Sequence, residues 1–256
     1  MRNKQKNRIW YLYLASIFIL SLYFIYYFFE DTEDYITSMN TRMLEKDGFC
    51  VLYNNAYTET HDIPCKRLKE DVLSLLPNKY TFIDYIYKIR DGALSTFHRD
   101  VTSSKNIYHT IYPVYTLILY KYEGELLSVC PRSNISYPFV WSRILNLQGK
   151  PGTCFLFDCD MLHAGCTNYC KEREVIQYKI CHMDDLHRLS HLQGIRMEKK
   201  DICKLSLYNS MVRKLSYYFE MPINYIFYPL MIKRENTDTI IGKLQSFIPI
   251  NYYNNV

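Results

Sequence analysis

Residues 149–180 read GKPGTCFLFDCDMLHAGCTNYCKEREVIQYKI, and the way this stretch folds decides how the rest of the chain is read. Pro151-Gly152 is a turn signal, and Phe155 and Phe157 then alternate as they do on a strand. A short loop delivers His163, and Arg173 opens a second strand-like run, EVIQYKIC (174–181). The segment is therefore two strands around a loop, with an imidazole early in the loop and a guanidinium at the start of the return strand. Upstream, FHRD (97–100) sets His98 two residues before Asp100. Residues i and i+2 of a strand share a face, so this pair can offer an imidazole and a carboxylate to one point.

An HxD alone is a weak signal, since two polar residues on a surface loop look the same. The spacing to His163 and Arg173 strengthens it. Two imidazoles and one carboxylate on one side of a first-row metal leave coordination positions open on the other. An arginine in the same barrel adds a planar fork suited to a carboxylate. Two blander alternatives stand beside this one: a fold that keeps these residues without a metal, and a surface Arg173 paired with Glu172 or Glu174, worth only about 0–1 kcal/mol.

Around this segment the sequence is rich in strand patterns. GFCVLYN (48–54), YTFIDYIYKI (80–89), ALSTFHRD (93–100), VYTLILYKY (114–122), ELLSVC (125–130) and TCFLFD (153–158) all qualify. KRLKEDVLSLLP (66–77) places Leu68, Val72 and Leu75–Leu76 on one face and stops at Pro77, which predicts a helix. Residues 30–47 have helical spacing, and after 182 the pattern weakens into expected helices. IFYPLMI (226–232) is too short to span a bilayer and is expected to be core. The expected architecture is mainly β with flanking helices, an antiparallel sandwich or barrel.

The N-terminus carries a separate signal. Arg2, Lys4, Lys6 and Arg8 precede an uncharged run, IWYLYLASIFILSLYFIYYFF (9–29). As a helix it would be about 31 Å long, roughly the hydrocarbon thickness of a bilayer. Aromatic residues lie near both ends, and EDTED (30–34) follows. A cleaved signal peptide would be shorter and would end at small residues. The expectation is one transmembrane signal anchor. With a net charge of +5, four of the basic residues fall before position 9, leaving 27 basic against 26 acidic groups from residue 30 onward. Positive-inside bias then keeps the N-terminus cytosolic. A near-neutral body gives no electrostatic footprint for nucleic acid, and none is expected as a partner. The nine cysteines and the sequon at Asn134 fit an oxidising lumen.

The residues quoted so far carry a resemblance. DGFCVLYN, FHRD, YTLILYKYEGELLSVCPRS and PGTCFLFDCDMLHAGCTNYCKERE together resemble the Fe(II)/2-oxoglutarate-dependent dioxygenases, over roughly residues 46–185. Within that superfamily they look most like the phytanoyl-CoA dioxygenase-like branch, with the prolyl 4-hydroxylases as second choice. The resemblance implies a double-stranded β-helix, or jelly roll. It implies that His98, Asp100 and His163 bind iron and that Arg173 binds the far carboxylate of 2-oxoglutarate. The implied activity is hydroxylation coupled to oxidative decarboxylation of 2-oxoglutarate to succinate and CO2, using O2, with ascorbate as an optional reductant. Thr116 is taken, by strand position, as a hydroxyl partner for the cosubstrate carboxylate.

The chain departs from the branch at Arg132, where glycine is usual, and at Asn134, where histidine is usual; Arg132 either lines a substrate mouth or faces water. Asp100 favours hydroxylation over halogenation, which needs a small residue there. His187 and His191 could share a helical face but lack a third ligand, and Cys166–Cys170 is a candidate disulfide beside free thiols.

The expected layout is a cytosolic tail at 1–8, the anchor at 9–29, a stalk or helix at 30–45, the oxygenase-like domain at 46–185 and a helical extension packing on it at 186–256. The expected protein is a type II single-pass membrane enzyme, its domain luminal (ER or Golgi-like) or extracytoplasmic. Small-molecule, lipid, glycan and protein substrates all remain open. The rivals are a catalytically inactive jelly-roll protein with a binding or structural role, and a zinc-dependent hydrolase, which would need no Arg173 and would need a general base near its metal.

Overall fold

YTLILY (115–120) is apolar almost without interruption, the pattern of a strand buried on both faces, and the computed structural model places it at the centre of its larger sheet. The structure describes residues 11, 13–22, 33–36, 44–91, 96–136, 143–166, 173–200 and 207–219. Their strands are β1 (Glu33–Ile36), β2 (Phe49–Tyr53), β3 (Tyr80–Asp91), β4 (Tyr115–Tyr120), β5 (Gly124–Val129), β6 (Ile144–Gly149), β7 (Thr153–Asp158), β8 (His163–Gly165), β9 (Glu174–His182) and β10 (Gly194–Lys200). Beyond residue 33 the described α-helices are α1 (Leu44–Asp47), α2 (Lys66–Ser74), α3 (Lys105–Tyr108) and α4 (Leu207–Tyr218).

The chain divides into two units, Met1–Glu33 and Asp34–Val256. In the first, residues 13–22 are helical and expose Tyr13, Leu14, Ile17, Phe18, Ile19 and Leu20. Among the described residues no helix is long and apolar enough to cross a membrane. The basic tail and the rest of the expected anchor lie outside the described residues.

The second unit is mainly β. One sheet runs β1-β6-β5-β8 and the other β10-β3-β9-β4-β7-β2. The pairings at β4 are antiparallel, with Thr116 opposite Lys179 on β9 and Phe157 on β7. The sheets share a core in which Ile118, Tyr120, Phe155, Phe157 and Val175 meet Leu127, Val129, Leu145 and Leu147. The opposite face of β4 and β9, through Leu117, Leu119, Ile176, Tyr178 and Ile180, packs on Leu68 and Val72 of α2. Each fully buried leucine in this layer contributes about 1.5–3 kcal/mol. The turn into β7 needs its glycine: Gly152 has φ +91°, and a Cβ there would meet the Asn54 carbonyl oxygen at 2.5 Å.

Within residues 30–47, expected to be a helix or stalk, the described residues hold β1 and the short α1. Residues 183–200, expected to be helical, form a 3-10 segment (Met183–Leu189) and then β10, which extends the larger sheet by pairing in parallel with β3. Within the expected strand 93–100, the described residues hold a single bridge, His98 to His163, and Asp100 caps a 3-10 turn at Val101–Ser103.

α4 packs beside the first of these residues. The Ser216 hydroxyl accepts from the Phe97 backbone N–H at 2.8 Å. Arg213 donates to the Gly165 carbonyl at 2.9 Å and to Ser128 Oγ at 2.5 Å, with its guanidinium 4.5 Å from the centre of the Phe97 ring. Most of the expected C-terminal extension beyond α4 lies outside the described residues.

Candidate metal centre

The bridge between His98 and His163 joins the two segments that carry the histidines. His98 N–H donates to His163 O at 2.9 Å, and His163 N–H returns the bond to His98 O at 3.0 Å. Their rings lie 4.5 Å apart between centroids. Each ring is oriented through Nδ1, on the Thr96 carbonyl at 2.8 Å for His98 and the Met161 carbonyl at 3.0 Å for His163. A carbonyl can only accept, so each Nδ1 carries a proton, and the Nε2 of the neutral imidazole is the atom left to bind an ion. Both Nε2 atoms face Asp100 Oδ1, at 4.0 Å from His98 and 3.8 Å from His163. Those gaps are too long for hydrogen bonds and suit ligands that share an ion. One ligand atom from each of the three residues lies within 4.8 Å of the others.

Asp100 is held from its other side. Lys179 Nζ donates to Oδ2 at 2.6 Å, Thr116 Oγ1 donates to the same oxygen, and Gln177 Nε2 approaches it at 3.3 Å. Lys179 also donates to Thr116 Oγ1 at 2.7 Å. Burial alone would raise the Asp100 carboxyl, but the Lys179 ammonium and the two imidazoles outweigh it and hold it well below the usual carboxylate range. Burial works against the Lys179 charge too, and Asp100 more than restores it.

Burial pushes the His163 imidazole down to about 4, against the pull of Asp100. His163 is therefore neutral at pH 7, as a metal ligand must be. The same shift ties stability to pH. The unfolded chain binds this proton near 6.5 and the folded chain only near 4, so the contribution to stability is complete above 6.5 and is lost as pH falls toward 4. Metal-free protein should lose about 2–3 kcal/mol at this residue between pH 7 and 4.5. Urea unfolding of wild type and His163→Gln at both pH values measures it, and equal losses in the two proteins would refute it.

The buried Arg99 between the ligands organises the loops. Its guanidinium donates to the carbonyls of Ser133 and Asp160. The Asp160 carboxylate accepts from Ser104, from the Lys105 backbone at 3.1 Å and from Asn106 at 3.0 Å. Leu162 N–H donates to Ser133 Oγ at 2.8 Å, which sets the approach to His163.

The two residues expected at the cosubstrate are not brought together. Arg173 is buried, with its guanidinium 5.5 Å from the centre of the Tyr122 ring. It lies six positions before Lys179, about 20 Å along the strand by pitch. Thr116 sits at the Lys179 end, with its hydroxyl engaged by Asp100 and Lys179. Arg132 is exposed in the turn after β5, with a left-handed φ of 63°. His187 lies in the 3-10 segment, whereas His191 stacks on Tyr108 and contacts the Thr102 carbonyl at 2.8 Å. Cys166 is buried with its Sγ 3.2 Å from Ser128 Oγ, and Cys170 lies outside the described residues.

No family model matches the sequence, and no curated protein matches it. Solved structures similar to it are non-heme 2OG-Fe(II) oxygenase family members, at low identity. The nickel complex of the non-heme monooxygenase ThoJ is 12% identical with a TM-score of 0.42, over 55% of this chain and 76% of that one. SnoN, a non-heme alpha-ketoglutarate-dependent epimerase from nogalamycin biosynthesis, is 9% identical with a TM-score of 0.42, over 55% of this chain and 80% of that one. An oxidoreductase of the 2OG-Fe(II) oxygenase family from Burkholderia pseudomallei is 14% identical with a TM-score of 0.34, over 45% of this chain. The chain spans about half (52%) of that protein's length.

Sequence reasoning missed Lys179, Gln177 and Arg99. The first two had a signal: Gln177 and Lys179 are polar at alternate positions of a strand whose neighbours Val175, Ile176, Tyr178 and Ile180 are all buried. Polar side chains in such a strand need a buried partner.

Proposed function

We infer that the chain is an Fe(II)/2-oxoglutarate-dependent dioxygenase, a jelly-roll hydroxylase held at a membrane by residues 9–29. The observation that carries this is the gathering of His98 Nε2, His163 Nε2 and Asp100 Oδ1 around one point, with each imidazole fixed through Nδ1 on a backbone carbonyl. Two imidazoles and one carboxylate fit a first-row divalent ion and leave it room for further ligands. When bound, iron supplies the redox chemistry that couples decarboxylation of the cosubstrate to oxidation of a C–H bond.

The chain's own residues do the rest. His98, His163 and Asp100 hold the ion. Phe157, with its ring 4.5 Å from that of His163, walls the site with an apolar surface and limits water. Arg173, buried at the other end of the β9 face, takes the far carboxylate of 2-oxoglutarate by a charge-assisted fork. The exposed Arg132 borders the entrance for the substrate to be oxidised.

The test is anaerobic and uses the full chain in detergent. Fe(II) and 2-oxoglutarate together should give a visible charge-transfer band. Arg173→Ala should need about 10–100-fold more 2-oxoglutarate for the same band, the scale of losing one buried charge-assisted contact. Folded wild-type protein giving no band with iron and cosubstrate in excess would refute the proposal and favour an inactive jelly roll.

A further inference from the structure

The two oxygens of Asp100 have different surroundings. Oδ1 faces the two imidazoles and accepts no short hydrogen bond among the described residues, whereas Oδ2 receives Lys179 and Thr116 with Gln177 alongside. Lys179 and Thr116 are also joined at 2.7 Å, so they act on Oδ2 as a unit. All three donors come from adjacent strands: Thr116 stands opposite Lys179 in the β4–β9 register, and Gln177 is two residues before Lys179 on the same face. Lys179 and Thr116 are 2% and 0% exposed, so water does not compete for the oxygen they hold.

We propose that Lys179 and Thr116 are positioning residues that cap Asp100 Oδ2 and confine the carboxylate to one-oxygen coordination of the metal. This rests on the metal site proposed above. A carboxylate can bind a divalent ion through one oxygen or both. If Asp100 bound through both, it would take up a position that the two histidines leave open. With Oδ2 committed to an ammonium and a hydroxyl, turning it toward the ion would leave a buried lysine without its anionic partner. That is an expensive loss. The cap therefore keeps open positions for small ligands, and it belongs to this chain's own Lys179.

Mn(II) bound to the full chain tests this, because water-proton relaxation counts the exchangeable waters on the ion. K179M/T116V removes both short donors while keeping similar volume, and should lower the count by about one as the second oxygen binds. K179Q/T116S keeps a donor at each position and should retain the wild-type count. The splitting of the carboxylate stretching bands should narrow in the first variant and not in the second. A wild-type count and splitting in folded K179M/T116V would overturn the proposal. If that variant does not fold, K179M and T116V are read singly. An intermediate count in either supports the cap, and wild-type values in both overturn it. Wild-type protein that binds no Mn(II) or Fe(II) would instead sink the metal site itself.

Discussion

A His163→Ala protein is expected to bind Fe(II) or Mn(II) at least about 100-fold more weakly than wild type while still folding. Losing a residue that merely orients a ligand already reduces metal affinity by about 10–100-fold, so losing a ligand should do at least as much. Folding should survive because the groups that tie this region together do not involve the imidazole. Asp100 keeps Lys179 and Thr116, Arg99 keeps its two carbonyls, and the backbone bridge between residues 98 and 163 needs no side chain. Calorimetric titration of metal into the full chain gives the affinity, and far-ultraviolet circular dichroism reports the fold. Affinity within a factor of about three of wild type would exclude His163 from the metal site.

Phe157→Ala should produce the largest loss of stability, about 3–5 kcal/mol by urea unfolding. Phe157 is fully buried, sits opposite Phe49 on β2 and Thr116 on β4, and belongs to the core shared by the two sheets. Removing the ring leaves a void that strands on both sides cannot collapse into without breaking register. It also removes the wall against His163, so metal affinity should fall in the same protein. A loss below about 1 kcal/mol would mean that the sheets close over the gap and that the core is less tightly packed than described.

Several strands were legible because their patterns are local. TCFLFD, EVIQYKIC and YTLILY are apolar and short and are bounded by turn residues, and the structure has β7, β9 and β4 at those places. β6 was not legible. ILNLQG carries a polar residue at its centre, and the structure buries Asn146 by having it accept from Ser128 on the neighbouring strand. That partner lies 18 residues away and cannot be read from the strand itself. β10 failed for another reason: GIRMEKK is charged because it lies at a sheet edge, where water can cover one side.

The candidate site follows the same division. Residue types and spacing pointed to His98, Asp100 and His163, which the structure gathers although FHRD is not a continuous strand among its described residues. What holds Asp100 arrives from β4 and β9 through sheet register, which no short motif encodes.

The attachments of α4 bear on the order in which the molecule can be completed during synthesis. The Phe97 N–H, one residue before His98, finds its acceptor in Ser216, 119 positions later in the chain. The Gly165 carbonyl, two residues after His163, likewise waits for Arg213. While the chain is still emerging from the ribosome, both sheets can assemble as far as β9 with the Phe97 N–H still relying on water. The loops around the candidate centre therefore complete this hydrogen bonding only once α4 has been synthesised and has packed beside them.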